Sequence, residues 1–266
     1  MVGTSGKFRD RRLVIENPDA CSIAGPEDIR GAAEALHEIS MACGLRAAIA
    51  HDIADKRTPV DIDGNVLADA VFGWGDNEKV WWRNSRIALD SPLTLACRFE
   101  NEPFWMNREG IHSRAVNPYL QEINLANFEK RAGTRAAIVV PVHMPFGIIG
   151  VGSFNALDSE ETDLGERFDK YADLLGHHTR RFVSEYALVM GKEQALPPGS
   201  RLSKREVECL RWAAIGKTDL EISMIMSRSR ATVRFHIKNA STKLNSVNRS
   251  QTLFKASQLG YISLAN

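Results

Sequence analysis

Between residues 191 and 201 the chain reads GKEQALPPGSR, with two Gly and two adjacent Pro in one short stretch. Each proline removes a backbone donor and pushes the residue before it out of the helical region. Neither a helical nor a strand period survives the passage, so no single element can run through it. We read it as an interdomain linker, which divides the protein into residues 1–190, a linker at 191–201, and residues 202–266. A length of 266 residues suits two domains. With 44% hydrophobic and 25% charged residues, the composition excludes collagen-like, wholly disordered and disulfide-stapled chains.

Charge divides at the same place. The formal net charge is only +1. Residues 200–266 nevertheless hold twelve Lys/Arg against four Asp/Glu, and no acidic residue follows Glu221. A basic end on an acidic body implies a polyanion partner for that end, or else a solvated basic face.

The punctuation of this segment predicts four short helices. Ser203-Lys204-Arg205-Glu206 and Thr218-Asp219-Leu220-Glu221 are capping boxes, in which hydroxyl and carboxylate each satisfy an orphan backbone donor. The first helix stops at Gly216 and the second near Met226. Ser229 caps a third, running from Arg230 to Leu244 with Asn245 as its stop. Asn248 caps a fourth that ends at Gly260. Short helices joined by tight turns fit a helix-turn-helix, whose later helix enters the major groove. In the third helix Val233, Ile237, Ala240 and Leu244 form an apolar stripe, and Arg234 and Lys238 lie about 100° away. Arg234 can grip guanine bidentately and Lys238 can serve base or phosphate. Arg228, Arg230, Ser227, Ser229 and Thr232 sit near the helix N-terminus, where phosphate oxygens bind.

The first domain mixes strands and helices. Pro26 opens a helix that runs to Gly44, and LRAAIAHDI after it reads as a strand. Residues 1–25 read as an extended arm, 77–88 as a short helix, and 118–131 as a helix closed by Gly133. AAIVVPV and GIIGVGSF are two strands of a hairpin. Leu164, Phe168, Tyr171, Leu175, His178, Phe182 and Val189 then repeat at helical spacing. That stripe is either core packing or the seam of a dimer, with His178 as a hydrogen-bonded core histidine. Four cysteines without metal-site spacing read as reduced, buried thiols, and we expect no metal. The polar N-terminus and the absence of a long apolar run predict a cytoplasmic protein with no membrane association.

The sequence from Leu202 to Ile262 closely resembles the DNA-binding domain of LuxR-type regulators. The residues that carry the likeness are L-S-x-R-E, G-K-T-x-x-E-I, T-V-x-F-H-x-x-N-A, K-L and N-R. The resemblance implies an all-α tetrahelical helix-turn-helix with Arg234 and Lys238 facing bases. Double-stranded DNA is the implied partner, bound by a homodimer, with RNA polymerase as a further one.

Several input domains accompany such a module. A phospho-receiver needs βα repeats and an ATPase a phosphate-binding glycine loop, and neither is present. Residues 80–105 instead resemble the centre of the family's autoinducer-binding domain, an α/β/α sandwich of PAS/GAF-like layering. On that resemblance Asp90 would accept the amide of an acyl-homoserine lactone. Trp105, fifteen residues on, would line the lactone end of the cavity. Both have plainer readings, as a turn acid before Pro92 and as a core aromatic. The family's upstream Trp and Tyr are replaced. Trp81 or Trp82 occupies the Tyr neighbourhood, Trp74 is the nearest upstream Trp, and Ser91 separates Asp90 from Pro92.

The expected whole is an α+β chain acting as a quorum-sensing-type transcriptional regulator, gated by a lactone or similar small molecule and needing no cofactor. A ligand-independent regulator, whose first domain only dimerises, is the second reading. An enzyme domain fused to a DNA-binding module is the third and weakest, because His177, His178 and the scattered carboxylates form no catalytic arrangement. We therefore read the chain as a non-enzyme.

Overall fold

The computed structural model describes residues 15–54, 58–75, 90–191 and 201–263. The chain forms two compact units, the first from most of residues 1–192 and the second mainly from residues 193–266. The expected helix at 77–88 and nearly all of the linker lie outside the described residues.

Five antiparallel strands organise the first unit: β1 (Leu45–Ala50), β2 (Phe104–Asn107), β3 (Ile111–Ser113), β4 (Ala136–His143) and β5 (Ile149–Ala156). Their order across the sheet is β1-β5-β4-β2-β3. β4 is buried from Ala136 to Val142, which is what an unbroken apolar run demands when both faces of a strand are covered. Pro141 is tolerated there because β2 pairs no further along β4 than Val139, so the proline has a ladder on one side only.

Strand alternation then sorts the core into two layers. Leu45, Ala47, Ile49, Ala136, Ile138, Val140 and Phe154 face α1 (Ile29–Ala42) and α6 (Gly165–Met190). Ala50, Phe104, Met106, Ala137, Val139 and Val151 face Leu93 and Ala96 of α3 (Pro92–Ala96), Leu120 of α4 (Pro118–Gln121) and Phe128 of α5 (Phe128–Ala132). The result is an α/β/α sandwich. A short α2 (Leu67–Ala70) adds Leu67 to the first layer.

α6 lies close on β5 because β5 offers glycines beneath it. A Cβ at Gly152 would stand 2.6 Å from Thr179 Cγ2, and one at Gly150 would collide with Val183. Phe168, Leu175 and Phe182 are buried in the first layer, so the stripe along α6 is core packing and not a dimer seam.

Two local expectations need correction. The stretch 118–131 is not one helix. Asn117 caps α4, Asn124 Oδ1 accepts from Ala126 N at 2.8 Å, and Asn127 adopts a left-handed φ of 55° before α5. Asn side chains compete for local backbone donors and tolerate that conformation, which splits the run. The second half of the supposed arm is not free either. Cys21 and Ile23 are buried, and Ile23 N donates to Glu185 Oε2 at 2.6 Å. All four cysteines are free and buried, and burial pushes the Cys21 thiol up to about 12 and Cys43 to about 11.

The second unit is four helices: α7 (Lys204–Ala214), α8 (Asp219–Ile225), α9 (Arg230–Lys243) and α10 (Arg249–Gln258). Ser203, Thr218, Ser229 and Asn248 each accept a backbone N–H at the N-terminus. Every C-terminus closes in a Schellman motif, with left-handed residues at Gly216, Ser227, Asn245 and Gly260. At the turn between α8 and α9, for example, Arg228 N donates to Ser223 O at 2.9 Å and Ser227 N to Met224 O at 3.3 Å. Three of the four left-handed positions carry the expected Gly or Asn, whereas Ser227, at φ 50°, carries a β-carbon that costs energy there.

Ser227→Gly should stabilise the second unit by about 0.5–1 kcal/mol in urea unfolding, and an unchanged midpoint would count against strain at this turn. His178 is 1% exposed, and its Nδ1 has no hydrogen-bond partner among the described residues. It is therefore a core histidine, but not the bonded one expected. Burial, then His177 and Arg181, lower it from 6.5 to about 4. As pH falls through that window the unfolded chain gains a proton that the folded chain refuses. Stability is complete above the window and declines within it, so His178→Asn should show a shallower acid loss of melting temperature than the natural chain.

Candidate functional site

The turn between α8 and α9 is held from beneath. Ile222 of α8 and Val233 of α9 are fully buried together with Cys209 and Ala213 of α7. Ala240 and Leu244 continue the same side of α9 into a second cluster with Leu210 and Ala256. With that stripe inward, the helical period turns Arg230, Arg234 and Lys238, at i, i+4 and i+8, outward in one row, and all three are exposed. Arg228 and Ser229 are exposed at the N-terminal end, where Thr232 is half-buried.

The six residues expected to meet DNA therefore lie either in the exposed row of α9 or at its N-terminal end. Ser229 is also structural, since its Oγ accepts from Thr232 N at 3.1 Å and bonds the Thr232 hydroxyl at 2.8 Å. Ser241 is drawn away, donating to Ser246 O at 2.7 Å.

Three residues of this face were not singled out from sequence. Phe235 stands 61% exposed beside Arg234, an apolar ring where a solvated helix would carry a polar side chain. Asp219, at the first position of α8, bonds Arg234 Nε at 3.3 Å through Oδ2 and Arg249 Nη1 at 2.5 Å through Oδ1. Arg249 also donates to Lys217 O at 2.8 Å. Burial opposes ionisation of Asp219, yet Arg249 and Arg234 hold its carboxyl below the usual range. Sequence spacing does not betray such a trio, because its members come from three helices.

Behind the face a second ion pair anchors α9 to α7. Lys243 Nζ lies 2.8 Å from Glu206 Oε2, and Glu206 is also the capping-box acid of α7. Burial works against its charge and is outweighed by Lys243 and the Ser203 bonds.

In the first unit Asp90 is not brought together with Trp74 and Trp105. Trp81 and Trp82 lie outside the described residues. Phe104 and Met106 face α3, so Trp105 between them must face the α1 and α6 side. There it stacks on His112 with centroids 4.0 Å apart. Trp74 is on the same side and donates from Nε1 to Ala47 O at 2.6 Å. Asp90 is exposed just before α3, on the other side of the sheet, and its carbonyl accepts from Arg131 Nε at 3.0 Å.

One polar group on the α3 side went unnoticed in the sequence. Ser153 on β5 is paired with Val139, a residue of the α3-facing layer, and its buried hydroxyl has no partner among the described residues. Such an orphan invites a ligand hydrogen bond. A surface cleft of about 520 Å³ lies elsewhere, lined by residues 109–117 and Leu120 among others, and includes none of these side chains.

Residues 200–256 match the family model described as "Bacterial regulatory proteins, luxR family". The transcriptional activator VanR of Vibrio anguillarum is 35% identical over 135 residues, which is 49% of this chain and 53% of VanR. The alignment thus spans about half of that relative. The quorum sensing-dependent transcriptional regulator VjbR of Brucella abortus is 31% identical over 214 residues, covering 71% of this chain and 79% of VjbR. Escherichia coli SdiA aligns at 21% identity with a TM-score of 0.47, over 97% of this chain and 99% of that one. With VjbR matched across most of its length and the luxR model seated on the capped helix-turn-helix, the chain belongs to the LuxR family of bacterial transcriptional regulators.

Proposed function

We propose that this LuxR-family regulator works in the cytoplasm as a quorum-sensing homodimer whose DNA affinity is gated by a small amphiphile. The observation that carries the DNA-binding half is the exposed Arg230–Arg234–Lys238 row on a helix whose opposite side is buried. In this reading Arg234 takes guanine O6 and N7, Lys238 takes base or phosphate, and Phe235 meets a thymine methyl. Arg228, Arg230, Ser229 and Thr232 hold phosphates and set the register. Two copies then read half-sites about one helical turn apart, and RNA polymerase is the machinery the bound dimer would address.

For the sensing half we place the ligand on the α3 side of the sheet. Asp90 would accept an amide N–H there, and the unpartnered Ser153 hydroxyl would serve a ligand carbonyl. Trp74 and Trp105, on the opposite side, would act on that pocket only as scaffold. What supports this is an exposed carboxylate just before α3 and an orphan hydroxyl on the side of the sheet that α3 packs against.

Both halves can be tested on the full chain. Arg234→Ala should cost about 1–3 kcal/mol on a selected site and relax the preference at one base pair per half-site. Arg228→Ala and Arg230→Ala should weaken all sequences alike and flatten the salt dependence. Equal losses on selected and mixed-sequence DNA for Arg234→Ala would remove the base-reading role.

Asp90→Asn keeps shape but loses a charge-assisted bond of roughly 1.5–3 kcal/mol. The response to an N-acyl homoserine lactone should then shift by about one to two decades and recover at saturation. DNA binding that is equal with and without lactone, and unmoved by Asp90→Asn, would leave the sandwich a dimerisation scaffold.

A further inference from the structure

Asp219 lies at the DNA-facing end of a strongly basic unit, where a carboxylate repels phosphate. It is nevertheless held in place by two arginines. Its side chain is 19% exposed, against 61% for Arg234 and 36% for Arg249. The three residues come from three helices: Asp219 opens α8, Arg234 lies on the second turn of α9, and Arg249 opens α10. Arg249 is further tied to the carbonyl of Lys217, just before the Thr218 cap. The acid is therefore fixed from behind by Arg249 and the start of α8, and it offers its second oxygen forward to Arg234.

The atoms used on Arg234 matter. Asp219 takes Nε, while Nη1 and Nη2 have no hydrogen-bond partner among the described residues. A guanidinium presents five donors in a rigid fork. With Nε engaged, its remaining pair of terminal nitrogens is the end-on edge that fits guanine O6 and N7. A long arginine held this way loses less side-chain freedom on binding than a free one. The partial charge on Nη1 and Nη2 is also balanced from the protein side and not by a phosphate. We propose that Asp219 is a positioning residue that braces Arg234 for end-on reading of guanine, and thereby contributes to sequence discrimination while opposing non-specific attraction to the phosphate backbone.

The proposal rests on Arg234 being the base reader, and its experiment separates the two claims. The full-length chain is used to select sites from a random double-stranded library. Binding of the selected site, its single-base variants and mixed-sequence DNA is then compared for the natural chain, Asp219→Asn, Asp219→Ala, Arg234→Ala and the double variant Asp219→Ala/Arg234→Ala. Asp219→Asn keeps the shape and one acceptor for Arg249, so folding is preserved if the larger change disturbs it, and thermal melts report that directly.

We expect both Asp219 variants to lose about three- to tenfold in discrimination at the base pair that Arg234→Ala relaxes, while binding mixed-sequence DNA as tightly or tighter. The double variant should discriminate no worse than Arg234→Ala alone, as coupled residues do. Selected and mixed-sequence affinities moving together would make Asp219 a bulk charge and overturn the brace. Tighter and sharper binding of the selected site would make it a mask on Arg234, which also overturns it. Discrimination unchanged in the Asp219 variants but lost in Arg234→Ala would leave only a tie between helices. If Arg234→Ala relaxes no base pair, the base-reading claim fails first and the brace with it.

Discussion

Val233 has no exposed surface, and neither does Ile222 across from it. Their contact, closed by Cys209 and Ala213, is the small apolar joint on which the second unit depends. It sets α8 against α9 and decides which side of α9 is hidden. Once that side is inward, the 100° step of the helix leaves no freedom about where Arg234 and Lys238 point. The motifs at the helix ends act in support. Capping boxes and Schellman turns consume the orphan backbone groups that would otherwise compete for solvent or for the arginines.

The first unit relies on a different constraint, the two-residue period of a strand covered on both faces. β4 and β5 alternate between a layer shared with α1 and α6 and a layer shared with α3, α4 and α5. This alternation separates Trp105 from Asp90. Residues fifteen apart along the chain land on opposite sides of the sheet because Phe104 and Met106 already occupy the α3 side. It also turns the buried Ser153 to that side, where its hydroxyl has no partner among the described residues. Which polar side chains share a side of the sheet is therefore decided by register and not by sequence motif.

In both units, groups expensive to bury mark the places of interest. His178 is buried in the core, and burial lowers its pKa to about 4. Glu206 and Asp219 stay ionised because cations from neighbouring helices meet them. The two acids are both carboxylates held by basic partners, yet they do different things. Glu206 faces inward and anchors α9 through Lys243, whereas Asp219 faces Arg234 in the exposed row of α9.

Much of this was written in local signals. Capping boxes at Ser203 and Thr218, stops at Gly216, Asn245 and Gly260, and the uninterrupted apolar run of β4 each state their element within a few residues, because backbone hydrogen bonding and burial period are local properties. By that route the sequence alone determined the four-helix unit, the outward row on α9, the hairpin and the long α6. Tertiary structure decided the rest. The Asn residues at 124 and 127 broke an expected helix, and Cys21 and Ile23 pinned a segment with no period of its own. The α6 stripe became core because a glycine-floored sheet received it. Asp219 found Arg234 and Arg249 only after three helices had packed. Each of these depends on residues far apart in the chain, and no spacing rule reaches across a fold whose register and packing are settled only when the surfaces meet.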